Sequence, residues 1–311
     1  MTSLTKSFEQ SNYTHLVLDI GWFAIALAST SRFLQFYAIR MGADAFSLGL
    51  MAALPAIILV FSTSLSAWWR SHFEDSVHAI WLPSMGYRFI FLLPAFTPFF
   101  PIEWRVLWLI LAAVLPAFTQ GIANTIFVIM MRETVSHDKL PSLLAKRQFV
   151  LNIMLLIGVL GFGFLLEVLP FPLNYQVMFV LAFIFALASQ WHLGKLNVIV
   201  PPKKTRKDEK THLKPLLKTD SFQSIAFVTL LSFVGFFSIF AIIPLFLERQ
   251  LGADEGYIAM FGAAELIAGA AVMLILEPIM RRLGSRGTIS LSIFITGLAA
   301  LVIALAPSLE V

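Results

Sequence analysis

The stretch RMGADAFSLGLM at residues 40–51 returns as QLGADEGYIAMF at residues 250–261. Met41, Gly42, Ala43 and Asp44 stand against Leu251, Gly252, Ala253 and Asp254, and in each copy an apolar run precedes the tetrad and another follows it. A glycine that ends one helix and an aspartate that starts the next would serve both copies. Glycine accepts the helix-ending conformation, and a carboxylate at a helix N-terminus meets exposed N–H groups and a favourable dipole. The tetrad therefore reads as a tight turn between two helices, used twice.

The flanking runs decide what kind of helices these are. With 59% hydrophobic and 13% charged residues, and a mean hydropathy of +0.85, the chain has too little polar surface to cover a soluble globule. Unpaired backbone groups are prohibitively costly in hydrocarbon, so such a chain crosses a membrane as helices or as a closed barrel. Its apolar runs, about 20 residues each, fit helices, whereas a barrel would show short alternating segments. The spans read at 16–39, 46–69, 77–97, 104–130, 149–168, 175–196, 222–246, 256–279 and 288–306, giving an all-α polytopic membrane protein of about nine transmembrane helices. The opening MTSLTKSFEQSNYTH is polar, with no basic-then-apolar secretory signal, so the first apolar run stays in the protein.

Three regions follow: an N-terminal six-helix bundle (1–200), a basic linker (201–220) and the start of a second bundle of three helices (221–311). The linker, PPKKTRKDEKTHLKPLLKTD, is too charged to be buried and needs no dedicated lipid ligand beyond anionic headgroups. Arg40, Arg105 and Arg249 fall on one side of the membrane, Arg32 and Arg88 inside spans, and every other Lys and Arg on the side that holds the linker. By the positive-inside rule that side is cytoplasmic, which puts the N-terminus in the cytoplasm and the protein in a plasma (inner) membrane. Both Gly-Ala-Asp turns then lie outside, six spans apart, as duplication of a six-helix unit would leave them.

Other chemistry is discounted on the same sequence. No glycine-rich phosphate loop is followed by Lys-Ser or Lys-Thr, the six His show no metal spacing, and there is no Cys. No cofactor, metal or enzyme activity is expected, and the basic balance reflects the positive-inside bias instead of nucleic-acid binding.

Six spans, a basic linker and a second set opened by the same outer turn resemble the major facilitator superfamily of secondary transporters, whose two six-helix halves are parallel repeats. The turn EPIMRRLGSRG resembles that family's loop signature at Arg282, Gly284 and Arg286, with Glu277 and Arg281 where Gly and Asp would stand. The equivalent turn of the first half, SAWWRSHFEDS, barely matches it. The resemblance implies twelve spans, so three are expected to be missing and the chain to be truncated or to need a partner. It implies a transporter that moves a small organic solute by alternating access, coupled to protons, with efflux of amphipathic compounds as one mode and a solute anion as another. A non-transporting scaffold, sensor or lipid-handling protein on the same fold is the alternative.

The resemblance also implies that spans one, four and seven line the cavity. Span one carries Asp19, Arg32 and Gln35. At about 100° per residue Asp19 and Thr30 share a face, whereas Arg32 is about 140° from Asp19 and about 60° from Gln35. Arg32 with Gln35 makes a polar face for an anionic or hydrogen-bonding solute. Asp19, read as one turn inside the cytoplasmic end, is either an anchor there or a proton-coupling group. Gln120 and Asn124 of span four either contact solute or bond between helices. Arg88, which the resemblance sets away from the cavity, is expected to support packing by pairing with a carboxylate or carbonyls. Glu265 lies near the midplane of span eight, between Gly262 and Gly269, with Gly158 and Gly161 of span five expected opposite. It is either the proton-coupling carboxylate or one member of an ion pair with an arginine such as Arg88.

Overall fold

The computed structural model describes residues 3–200, 219–249 and 255–305. The linker through residue 218 and the second tetrad at 250–254 lie outside the described residues. The chain divides into two compact units, residues 1–202 and 203–311, and each is taken by itself.

The first unit contains α1 (Ser3–Ala28), α2 (Leu34–Arg40), α3 (Ala45–Ser64), α4 (Ser66–Arg70), α5 (Ser76–Arg88), α6 (Ile102–Thr134), α7 (Leu140–Val168) and α8 (Leu173–Leu193). Helix α1 packs on α7 and α8, while α6 carries α3 on one flank and α5 on the other. Glycines set how closely these pairs approach. A methyl group on Gly121 would meet Leu59 O of α3 at 2.6 Å, one on Gly86 would meet Thr119 of α6 at 2.8 Å, and one on Gly158 would meet Ala28 and Ile25 of α1 at 2.9 and 3.0 Å. Backbones come this near only where a side chain is missing. Gly158 is thus a contact of the first and fifth spans, and Gly161 has no neighbour within 4 Å.

The first Gly-Ala-Asp turn has the geometry its residues call for. Gly42 adopts φ +98° after α2, and Asp44 caps α3 by accepting from Ser47 N at 2.8 Å.

Two spans are irregular where the sequence reads as continuous. Between α1 and α2, Ser29–Phe33 form a π-helical turn, in which the Ser29 hydroxyl donates to Ala26 O at 2.7 Å and the Thr30 hydroxyl to Leu27 O at 3.3 Å. Hydroxyls that back-bond to preceding carbonyls let a helix absorb the extra residue. Beyond α5 the chain tightens into two 3₁₀ turns, Phe89–Phe91 and Leu93–Phe99, with a 40° bend. Pro94 and Pro98 there cannot donate to a continuing α-helix.

One end of this unit is held by apolar packing closed over with polar bonds. Leu16, Ile80, Ile126, Met130 and Leu143 form a buried cluster. Above it Asn12 donates to Thr134 O at 2.9 Å and Asn197 O at 2.7 Å. Glu9 pairs with Lys139 at 2.8 Å. Glu133 accepts from Ser76 N at 2.7 Å and from Arg70 at 3.2 Å.

The second unit contains α9 (Asp220–Arg249) and α10 (Glu255–Leu305). Within α10 the backbone leaves helical geometry at Gly284, φ +67° and ψ 173°, and the segments Gly262–Leu276 and Pro278–Gly284 meet at 58°. By length and composition, six helices among the described residues can cross a membrane, or eight if each bent pair is one span. The nine spans read from the sequence correspond to these six, the bent pairs at 77–97 and 256–279, and the apolar part of α9, whose helix runs from Asp220 to Arg249. The fold class, an all-helical polytopic membrane protein, stands.

Candidate solute site

Asp19 lies well inside the first unit. Helix α1 starts at Ser3 instead of near Leu16, so Asp19 is four turns from the helix start and 3% exposed. The helix thus begins well before the apolar run, near whose cytoplasmic end the sequence places Asp19. The polar residues before Leu16 are helical too, because Glu9 and Asn12 find partners in the 133–139 turn and at residue 197.

Three helices bring polar groups to Asp19. From α7, Arg147 Nη1 approaches Oδ2 at 3.1 Å. From α8, the Ser189 hydroxyl donates to Oδ1 at 2.6 Å. From α5, Arg88 Nη2 stands 3.6 Å from Oδ1 and donates to Ser189 Oγ at 2.6 Å. Arg88 also donates from Nε to Ala186 O at 2.8 Å and from Nη1 to Ser84 O at 2.9 Å, and it bonds the Ser84 hydroxyl. Removing charge from water costs several kcal/mol per ion unless hydrogen bonds and opposite charge replace the water. Arg88 has that replacement almost entirely from carbonyls and hydroxyls, which explains how it sits 3% exposed in an apolar helix. Its carboxylate neighbour in the first unit is Asp19. Asp19 and Arg32 do not pair, as their helical angles require.

Arg147 is held differently. Its Nη1 donates to Leu16 O and Asp19, and its Cζ lies over the Phe127 ring, 4.8 Å from the centroid. Nε and Nη2 make no hydrogen bond among the described residues. Arg147 precedes the apolar run at 149 and so reads from sequence as a loop cation without a role of its own. Pro141, at the first turn of α7, was the available signal, since proline is favoured just inside a helix start.

These groups line a cavity of about 150 Å³, walled by Asp19, Arg88, Arg147, Asn124 and the apolar side chains of Ile20, Phe23, Ile80, Tyr87, Phe127 and Leu193. Arg88 also lines this cavity while paired with Asp19 and backbone carbonyls. A second cavity of about 240 Å³ is lined by Thr30, Ser31, Gln35, Met51, Pro55, Gln120 and Ile90, and Tyr87 borders both. Thr30 stands about 16 Å along the helix axis from Asp19 and so lines a different cavity on the same face, and the π turn at 29–33 shifts the angular count between Thr30 and Gln35. The amides of Gln35, Gln120 and Asn124 make no hydrogen bond among the described residues.

The other sequence candidates stand elsewhere. Arg32 is half-buried and lines neither cavity. In the second unit Glu265 is on an exposed face of α10, with Gly262 and Gly269 half-buried beside it. Arg282 and Arg286 are exposed on either side of the break at Gly284. Among the described residues no group of three His, Cys, Asp or Glu could hold a metal.

Buried charges facing cavities in an apolar helical bundle are an arrangement that comparison with known proteins can place. No curated protein and no solved structure matches the chain. The family model of the Major Facilitator Superfamily matches residues 16–310, nearly the whole sequence, and the chain belongs to that superfamily.

Proposed function

We propose that the protein is a secondary active transporter that moves a small organic solute across a plasma membrane by alternating access, with protons as the coupling ion and the N-terminus in the cytoplasm. Membership of the superfamily makes it a membrane transporter of that type. The observation that carries the finer reading is the presence of three charged side chains, Asp19, Arg88 and Arg147, each under a tenth exposed and all lining one cavity. Charges inside a membrane bundle are costly and are retained where they pair, bind or move an ion. Here the pairing is asymmetric, with two cations and one carboxylate. The solute contacts in this reading include Gln35, Gln120 and Asn124, amides with no hydrogen bond of their own, joined by Arg32. Asp19 and Glu265 are the two carboxylates for proton coupling, and lipids are the surrounding solvent.

The experiment is counterflow in proteoliposomes, followed by uptake under an imposed pH difference. A transporter exchanges labelled solute from the start, and Asp19→Asn or Glu265→Gln abolishes accumulation driven by the pH difference while exchange continues. Wild-type accumulation that ignores the pH difference removes the proton from the scheme. Folded protein that exchanges no solute leaves a scaffold or sensor on this fold.

A further inference from the structure

We infer that the cavity between α1, α5, α6 and α7 selects a monoanionic organic solute, an acidic group attached to a small apolar or aromatic body, and that Arg147 is the residue that receives the acid. The inference deepens the transport reading by naming the solute class, but binding at this cavity can be measured without transport.

Charge supplies the first argument. Arg88 and Arg147 carry two positive charges and Asp19 one negative, and the other residues that line the cavity, Tyr87 and Asn124 among them, are uncharged side chains. One positive charge is left over in a low-dielectric wall, and a single negative charge on the solute cancels it. A neutral solute would leave the imbalance in place, and a cation would add to it.

Geometry supplies the second. Arg88 is consumed by Ser84, Ala186 and Ser189. Arg147 spends only Nη1 on the protein. Its ring-facing side is covered by Phe127, so its remaining donors, Nε and one edge of the guanidinium, are available to an acceptor. A guanidinium edge matches a carboxylate in two parallel hydrogen bonds, a geometry no ammonium or amide reproduces. Arg147 is held to one orientation from behind by Leu16 O and Asp19 before any solute arrives, which lowers the ordering cost of binding.

The rest of the lining supplies the third. Phe23, Tyr87 and Phe127 with Ile20, Ile80 and Leu193 form an apolar wall, and Asn124, exposed on the open side, adds an amide. About 150 Å³ accommodates an acid group and a ring-sized body. It is too small for a large amphipathic drug unless the solute also extends past Tyr87 into the second cavity.

The test uses detergent-purified protein and two matched probe pairs, benzoate with benzamide and hexanoate with hexanamide, read by thermal shift and tryptophan fluorescence at neutral pH. The acid of at least one pair is expected to bind roughly ten-fold or more tightly than its amide, the loss expected from one charge-assisted hydrogen bond. Arg147→Gln should erase that preference. Asn124→Asp adds a negative charge to the lining and should cut the acid-over-amide preference roughly ten-fold, read as a ratio because Asn124 itself faces the solute. Asp19→Asn should have the opposite sign and tighten the acid, an outcome that a merely structural ion pair does not produce. Equal binding of acid and amide, no binding of any probe to folded protein, or an acid preference that survives Asn124→Asp would each overturn the inference. Counterflow separates the two readings. Acid-selective binding without exchange leaves the anion site and removes transport, whereas exchange of amide as readily as acid leaves transport and removes the anion site.

Discussion

Replacing Gly121 by alanine tests how the bundle holds its second cavity. The added methyl would lie 2.1 Å from Ser62 Oγ, 2.6 Å from Leu59 O and 3.0 Å from Thr63 N. The Ser62 hydroxyl can turn away from its bond to Leu59 O, but the Leu59 carbonyl belongs to the α3 backbone and cannot. Ordinary contact begins at 3.4 Å, so α3 must retreat from α6 by about 0.8 Å, an overpacking strain of ~1–3 kcal/mol. In a unit of this size that lowers the melting temperature by about 3 °C for each kcal/mol. The retreat also carries Met51 and Pro55 of α3 away from Gln120 of α6 and so widens the second cavity. The assay is a thermal melt in detergent beside Gly161→Ala, where the methyl meets nothing within 4 Å. Gly161→Ala should melt as wild type or slightly higher, since alanine is the better helix former. If Gly121→Ala melts with Gly161→Ala, the close approach of α3 and α6 is not what the packing of this bundle rests on.

Further outcomes follow from the polar ties and the turns. Glu133→Gln, which weakens the Arg70 pair at 3.2 Å and the bonds to Ser76, should cost ~3 kcal/mol and speed limited proteolysis in the 71–75 turn; unchanged cleavage would show that the pair does not order that turn. Asp75 caps α5 through His78 N at 2.9 Å. Partial burial pushes its carboxyl up, but the His78 bonds outweigh this and hold it below the usual carboxylate value. The cap's contribution is therefore present above the unfolded carboxylate pKa and lost as pH falls through the lower folded value. Asp75→Ala should remove ~1 kcal/mol at neutral pH and nothing in strong acid, read from amide exchange at His78. Gly284→Ala forces a Cβ into φ +67° and should cost ~1–2 kcal/mol, with the turn between Arg282 and Arg286 becoming helical in the hydrogen-exchange pattern if the residue can relax.

The sequence by itself determined that this chain is a helical membrane protein. Apolar runs of spanning length have one solution in lipid, because only intrahelical bonds satisfy the backbone there. It also determined the Gly42–Asp44 turn, since glycine and aspartate are local instructions that need no distant partner. Asp19, Gln35, Gln120 and Asn124 were noticeable as polar residues in apolar runs for the same reason. What it could not decide was which of them meet. A helical wheel assumes one period and ignores depth: Thr30 is about 16 Å along the axis from Asp19 and lines a different cavity, and the π turn at Ser29–Phe33 shifts the period between Thr30 and Gln35. Arg147 was hidden by its position at the edge of an apolar run, where charge counts as loop. Only tertiary packing, which extends α7 back to Leu140 and lays it on α1, brings that guanidinium to Asp19. Residues 128 positions apart carry no mutual signal in one sequence, and the surplus positive charge they leave in the cavity exists only once the helices are assembled.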